Sequence, residues 1–205
     1  MKSLEIEFDG RQIHLSKMTT IYDSLALKFS RIMEEASVSH VFVSGYVAIL
    51  FGRSRTSENV DVLVERMSFE SFSKLWDRLL SEFECHNAKG VKTAYYDYLE
   101  EKLALRFSEK DTVLPNIEFK WAVSDMHRKA LDERLTVHLD QGSIPISPLE
   151  IQIAFKLYLG SDKDIEDARY LFELFREKFD LEGLEREIMN LELPLMEAKK
   201  DLGWT

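Results

Sequence analysis

The stretch from Val43 to Val62 restricts what this chain can fold into more than any other. A short apolar run, His40-Val41-Phe42-Val43, stops at Ser44-Gly45 and gives way to Tyr46-Val47-Ala48-Ile49-Leu50-Phe51. That order reads as strand, tight turn and helix. Asn59-Val60-Asp61-Val62-Leu63-Val64 then reads as a second strand. Side chains alternate along a strand, so Asn59 and Asp61 share one face while Val60, Val62 and Val64 point into a core. A helix opening at Ser44-Gly45 would offer unpaired backbone N–H groups to an anion, and Gly45 would let a phosphate approach the backbone closely. If the short helix leads back into a neighbouring strand, Asn59 and Asp61 lie alongside that turn.

The remaining elements are legible by period. Leu4 to Phe8 and Arg11 to Leu15 alternate on either side of Asp9-Gly10, which predicts a β-hairpin. Apolar residues at helical spacing predict helices over about 20–35, 68–83 and 92–101. Leu103 to Phe107 and Asn116 to Ala122 read as strands, and Leu135 to Ile146 as a hairpin turning at Gln141-Gly142. On the strand beginning at Asn116, Glu118 and Lys120 share one face, with Ile117, Phe119 and Trp121 on the other. Asn59, Asp61 and Glu118 could therefore converge on a divalent ion held against a triphosphate.

From Ser147 onward only helical patterns remain. Ser147-Pro148-Leu149-Glu150 has the residues of a helix start, with Ser at the cap and Pro in the first turn. Leu149, Ile153, Ala154 and Leu157 form one apolar stripe; Ile165, Ala168, Leu171, Phe172 and Phe175 form the next. The expected architecture is α/β (α+β): a mixed sheet flanked by helices over residues 1–146, then a helical subdomain over 147–205.

Charge narrows the partners. The 205 residues carry 27 Lys+Arg against 37 Asp+Glu, a net charge of −10, which argues against general coating of DNA or an anionic membrane. The last 59 residues hold 14 acidic and 8 basic side chains, leaving only −4 on the rest, so a nucleotide site is expected in the first two thirds. One cysteine, Cys85, provides neither a disulfide framework nor a Cys-rich zinc site, and the five histidines show no metal spacing. No apolar run reaches the ~20 residues of a membrane span, and the N-terminus has no signal-peptide core, so a cytoplasmic protein is expected. Phosphate-loop and dinucleotide-binding glycine patterns are missing.

The stretch Val43 to Val62 resembles the signature of the polymerase-β-like nucleotidyltransferase superfamily, in which Gly-Gly or Gly-Ser precedes Asp-x-Asp on a strand. It is more closely similar to small prokaryotic proteins related to AbiEii, whose Arg-Thr-Thr-x-Asp-x-Asp pattern reads here Arg55-Thr56-Ser57-Glu58-Asn59-Val60-Asp61. Those proteins also carry a helical Lys followed by Asp-x-x-Asp, matched by Lys156 and by Asp164-Ile165-Glu166-Asp167. The resemblance implies that Asp61 binds Mg²⁺ or Mn²⁺ with Asn59 and Glu118, and that Glu118 serves as base or ligand. It implies that Ser44, Gly45, Arg55 and Asp164 bind the nucleotide, with Lys156 near its charge. A nucleoside monophosphate would pass from an NTP to RNA, a protein or a small molecule, releasing pyrophosphate.

This sequence departs from the pattern at Asn59, where the first aspartate belongs. An amide still offers a carbonyl oxygen but brings no negative charge. Each position also has a plain structural reading. Asn59 and Asp61, like Glu118 and Lys120, could be the solvated face of an edge strand. Lys156 could snorkel from its stripe. Asp164 and Asp167 could simply complement a helix N-terminus. Two functions from different classes follow: a metal-dependent nucleotidyltransferase, or the same fold kept as a nucleotide- or protein-binding module without catalysis.

Overall fold

The computed structural model describes residues 5–204, so Leu4 of the expected hairpin lies outside the described residues. The hairpin itself forms from β1 (Glu5–Asp9) and β2 (Gln12–Ser16). α1 (Ile21–Glu35), β3 (His40–Val43), α2 (Gly45–Leu50) and β4 (Asn59–Val64) follow as the pattern predicts. Next come α3 (Phe69–Glu82), β5 (Phe83–Cys85), a π-helical segment (Thr93–Leu99), β6 (Leu105–Glu109) and β7 (Asn116–Trp121). α4 (Asp125–Asp132) leads to the hairpin β8 (Leu135–Leu139) and β9 (Gly142–Ile146). The chain ends in α5 (Leu149–Leu159), α6 (Asp162–Phe175), α7 (Leu181–Asn190) and α8 (Leu195–Leu202).

The strands form one mixed sheet in the order β1-β2-β8-β9-β3-β4-β7-β6-β5. β4 lies between antiparallel β3 and parallel β7, with Val43 opposite Asp61 and Asp61 opposite Glu118. β7 is therefore an interior strand, which removes the edge-strand reading of Glu118 and Lys120. Aromatic packing fixes which way β7 faces. Phe119 and Trp121 have ring centroids 5.3 Å apart, and Phe72 meets Trp121 edge-on at 5.7 Å, both on the buried side. Each such pair adds about 0.5–1.5 kcal/mol beyond its buried area, so the alternation that exposes Glu118 and Lys120 is strongly held.

The opposite face carries a smaller apolar cluster in which Ala130 and Leu131 of α4 cover Val41, Leu63 and Ala122. α4 thus packs over β3, β4 and the residue that follows β7. Periodicity did not reveal α4, because its eight residues present only Ala130 and Leu131 to the core. Helices α5–α8 contribute Leu149, Ile153, Leu171, Phe175, Leu184 and Leu202 to the same continuous core as the sheet. Ser147 is not the cap of α5: Pro148 occupies that position, and the Ser147 hydroxyl donates instead to Gln152 Oε1 at 3.1 Å. Among the described residues no helix is long and apolar enough to cross a membrane.

Candidate functional site

The turn after β3 is built around a backbone conformation that L-residues rarely adopt. Ser44 has φ 64° and ψ −140°, and its side chain makes no capping hydrogen bond. Such a conformation costs of order 1–3 kcal/mol and persists only where neighbours impose it. The neighbour here is Gln152 of α5, buried at 3% exposure. The Ser44 N–H donates to Gln152 Oε1 at 3.1 Å, and Gln152 Nε2 donates to the Ser44 carbonyl at 2.7 Å. One side-chain amide thus satisfies both polar groups of the strained residue. Sequence reasoning missed Gln152 because nothing in a helical stripe distinguishes a glutamine that reads a distant backbone.

α2, which this turn opens, has only six residues, so its dipole contributes little. What closes over the turn is Arg55. A Cβ placed on Gly45 would come within 2.9 Å of both terminal nitrogens of the Arg55 guanidinium. The guanidinium is held there by Asp167, which is fully buried and also pairs with Arg53. Arg53 reaches Glu166 as well, at 2.5 Å. The Arg55 Nε is buried without a hydrogen-bond partner, and burial followed by the charge of Arg53 holds the guanidinium below its ordinary pKa.

Lys156 belongs to the same assembly and does not snorkel. It is 2% exposed, with Nζ 2.5 Å from Asp164 Oδ1 and 2.9 Å from Asp167 Oδ2. Burial lowers its pKa, against the opposing pull of Asp164. Asp164 is lowered too: the Lys156 and Ser161 hydrogen bonds outweigh a larger single contribution from desolvation. Asp164 accepts from its cap, Ser161, as a first-turn acid does; Asp167 lies one turn further in and is a buried hub.

Ser44, Gly45, Arg55, Asn59, Asp61, Lys156 and Asp164 line one polar cavity of about 620 Å³, together with Lys163. Every nucleotide-binding position expected from the sequence is therefore gathered there. Glu118 stands at its margin through Asn59, whose Nδ2 donates to Glu118 Oε1 at 2.8 Å. An apolar cavity of about 360 Å³ adjoins it across Ser44 and Asp61, bordered by Lys120, His127, Gln152 and Phe155.

The carboxylates of β4 and β7 are joined by a cation. Lys120 Nζ lies 2.9 Å from Asp61 Oδ1 and 2.8 Å from Glu118 Oε2, and Arg106 adds a contact to Glu118 Oε1 at 3.3 Å. Desolvation would lower the Lys120 pKa, but Asp61 and Glu118 together raise it. Desolvation likewise raises Glu118, and Lys120 with Arg106 more than reverses this, leaving Glu118 below its usual range.

The residues as arranged do not fit a pair of divalent ions. Two carboxylates stand where three are needed, Asn59 turns its NH₂ rather than its oxygen toward Glu118, and an ammonium sits between Asp61 and Glu118. Asn116, in register with Asn59, has a buried unpartnered side-chain oxygen, but it is a further uncharged amide. Among the described residues no three His, Cys, Asp or Glu side chains gather as a metal site.

No protein-family model matches the chain, and no curated protein matches it in sequence. Its fold is similar to that of an antigenic nucleotidyltransferase-like protein from Paracoccidioides brasiliensis, with a TM-score of 0.55 at 15% identity over 90% of this chain and 92% of that one. Weaker likenesses are to the antibiotic-resistance factor ANT(2'')-Ia (TM-score 0.48, 12% identity, 80% of this chain and 88% of that one) and to a CCA-adding enzyme solved with ATP (TM-score 0.32, 13% identity, 84% of this chain and 48% of that one). The chain has a nucleotidyltransferase-type fold. At this identity the likeness fixes the fold, and the chemistry rests on the site.

Proposed function

We propose that this protein binds a nucleoside triphosphate in the polar cleft beside Ser44 and Gly45, and that it does so as a binding module of nucleotidyltransferase fold rather than as a transferase. The observation that carries the reading is the cleft itself: Arg55, Lys156 and Lys163 share its lining with the Ser44-Gly45 turn, whose glycine lies under a guanidinium, and with Glu58, Asp61 and Asp164. The three cations and that turn are the groups that would meet the oxygens of a triphosphate. Asn59 and the Lys120 bridge argue against catalysis, since a carboxylate held below its usual pKa by two cations is a weak general base.

Thermal melting against each of the four ribonucleoside triphosphates tests this. A ligand at ~100 times its dissociation constant stabilises by about 2.7 kcal/mol, a shift of roughly 5–10 °C for a chain of this size. At least one triphosphate should give that shift, and Gly45→Ala, which forces Arg55 off the turn, should abolish it. No shift with any of the four would overturn the reading.

A second reading is favoured by one observation, the registered pair Asp61 and Glu118 on adjacent strands. In it an acceptor hydroxyl attacks the α-phosphorus, its proton passes to a carboxylate, and pyrophosphate leaves. This requires the Lys120 bridge to open. Pyrophosphate release by the wild-type protein, lost in Asp61→Ala, would establish it; RNA, a protein hydroxyl and a small-molecule alcohol are the acceptors to offer.

A further inference from the structure

We infer that Lys120 is the resident cation of this site: its ammonium takes the place of a divalent ion between Asp61 and Glu118, so that the site excludes divalent metal and the neighbouring cleft takes a nucleoside triphosphate without one. Only the last clause rests on the proposed nucleotide site. The exclusion follows from the side chains of β4, β6 and β7 alone.

Three features of the geometry carry it. The ammonium touches one oxygen of each carboxylate, at 2.9 Å and 2.8 Å, so an ion seated between them would have to displace it. The other Glu118 oxygen is taken by the Asn59 amide at 2.8 Å and by Arg106 at 3.3 Å, so no lone pair on that side faces an empty position. Charge balances as well: Lys120 and Arg106 offset Asp61 and Glu118, and Asn59 adds none. A hard dication held at about 2.0–2.1 Å needs anionic oxygens turned toward it, and here Asp61 Oδ1 and both oxygens of Glu118 are turned toward nitrogen. The backbone makes this arrangement durable, because Lys120 and Glu118 are two apart on an interior strand whose other face is packed with Phe119 and Trp121. Lys120 cannot leave the face, only rotate on it.

Mn²⁺ titration of the nucleotide-free protein, followed by electron paramagnetic resonance, reads the inference directly. The wild-type chain should leave Mn²⁺ free at millimolar concentration. Lys120→Met should bind it at least about tenfold more tightly, because two carboxylates lose their countercharge. Adding Asp61→Asn to that variant should remove the gain. Should Lys120→Met lose its cooperative melt, Lys120→Gln carries the same comparison. Asp61-dependent binding of Mn²⁺ by the wild type, or no gain on removing the lysine, overturns the inference. Calorimetry with each of the four ribonucleoside triphosphates, in EDTA and in Mg²⁺, then addresses the cleft. Binding in EDTA at least as tight as in Mg²⁺ is expected, whereas binding that appears only with Mg²⁺ would overturn the metal-free clause. Failure of all four to bind in either condition would count against the nucleotide reading and leave the Mn²⁺ result to decide the role of Lys120.

Discussion

Two carboxylate–cation assemblies border the same cleft and differ in depth. On β4 and β7, Asp61 and Glu118 meet Lys120 where that lysine is still 38% exposed. Under the loop before β4, Asp167 meets Arg53, Arg55 and Lys156 with no exposure of its own. The residue types are alike, but water screens the first set far more than the second. The difference teaches that the same residue types do different work here: the deep set holds the loop to α5 and α6, while the shallow set can change partner without unfolding the chain. The Lys and Asp-x-x-Asp of the C-terminal motif thus belong first to architecture, and the cleft is lined by what that architecture holds still.

The largest effect should come from the deep set. Asp167→Ala leaves three cations around a void and should destabilise by about 3–5 kcal/mol, lowering Tm by roughly 10 °C or more. Asp61→Ala should stay within about 1 kcal/mol of wild type. Equal losses in chemical denaturation would erase the distinction between the two assemblies.

Gln152 comes next, because it belongs to the deep side but acts on the backbone. Gln152→Ala removes three hydrogen bonds and should cost about 2–3 kcal/mol. Ser44→Gly should by itself stabilise by about 1 kcal/mol, since glycine adopts φ 64° without strain. In the double variant the loss from Gln152→Ala should shrink, a coupling that a thermodynamic cycle measures. Strict additivity would mean that Gln152 does not hold the Ser44 conformation.

His40 gives the comparison a pH axis. Burial, only partly opposed by the hydrogen bond to the Val38 carbonyl, lowers its pKa to about 4. The folded value lies below the unfolded value of about 6.5, so the unfolded chain binds the proton more readily. Stability is complete above pH ~6.5 and falls as the pH drops toward 4, by about 2 kcal/mol at pH ~5. Folding free energies of wild type and His40→Gln between pH ~7.5 and 5 should converge toward the acid end. Parallel curves would place the acid loss elsewhere.

Most of the fold was legible in the sequence because strongly periodic segments leave little choice. The Asp9-Gly10 hairpin, β4 and β7 follow from alternation, and β3 from an apolar run stopped by Ser44-Gly45. What escaped was short or depended on distant partners. β5 has three residues, α4 buries only two apolar side chains, and β6 begins two residues after the apolar run that announces it. At the site, pattern put Ser44 and Gly45 beside Asn59 and Asp61, the family resemblance added Arg55, Lys156 and Asp164, and all seven line one cavity. Spacing could not show that Arg55 and Lys156 share a buried carboxylate, nor that Lys120 would sit between Asp61 and Glu118. Pairing across strands and between helices fixes those facts, and no local pattern encodes it. The one local signal for the shallow set was Asn59 itself, an uncharged residue where charge was expected.

Asn59 also supports the smallest prediction. Its Nδ2 donates to Glu118 at 2.8 Å, so Asn59→Asp replaces a donor by an anion facing an anion. Although that change restores the residue the sequence pattern calls for, the metal-free protein should lose about 1 kcal/mol at neutral pH, since Lys120 offsets only part of the repulsion across a partly exposed site. The sign with pH is opposite to that of His40. Crowding raises the folded-state pKa of one member of the carboxylate pair, so protonation favours the folded form and the deficit should close as the pH falls into the acid range. Denaturation curves of Asn59→Asp and wild type across pH decide it. A deficit that persists in acid would mean the amide's shape, and not its lack of charge, is what the site uses.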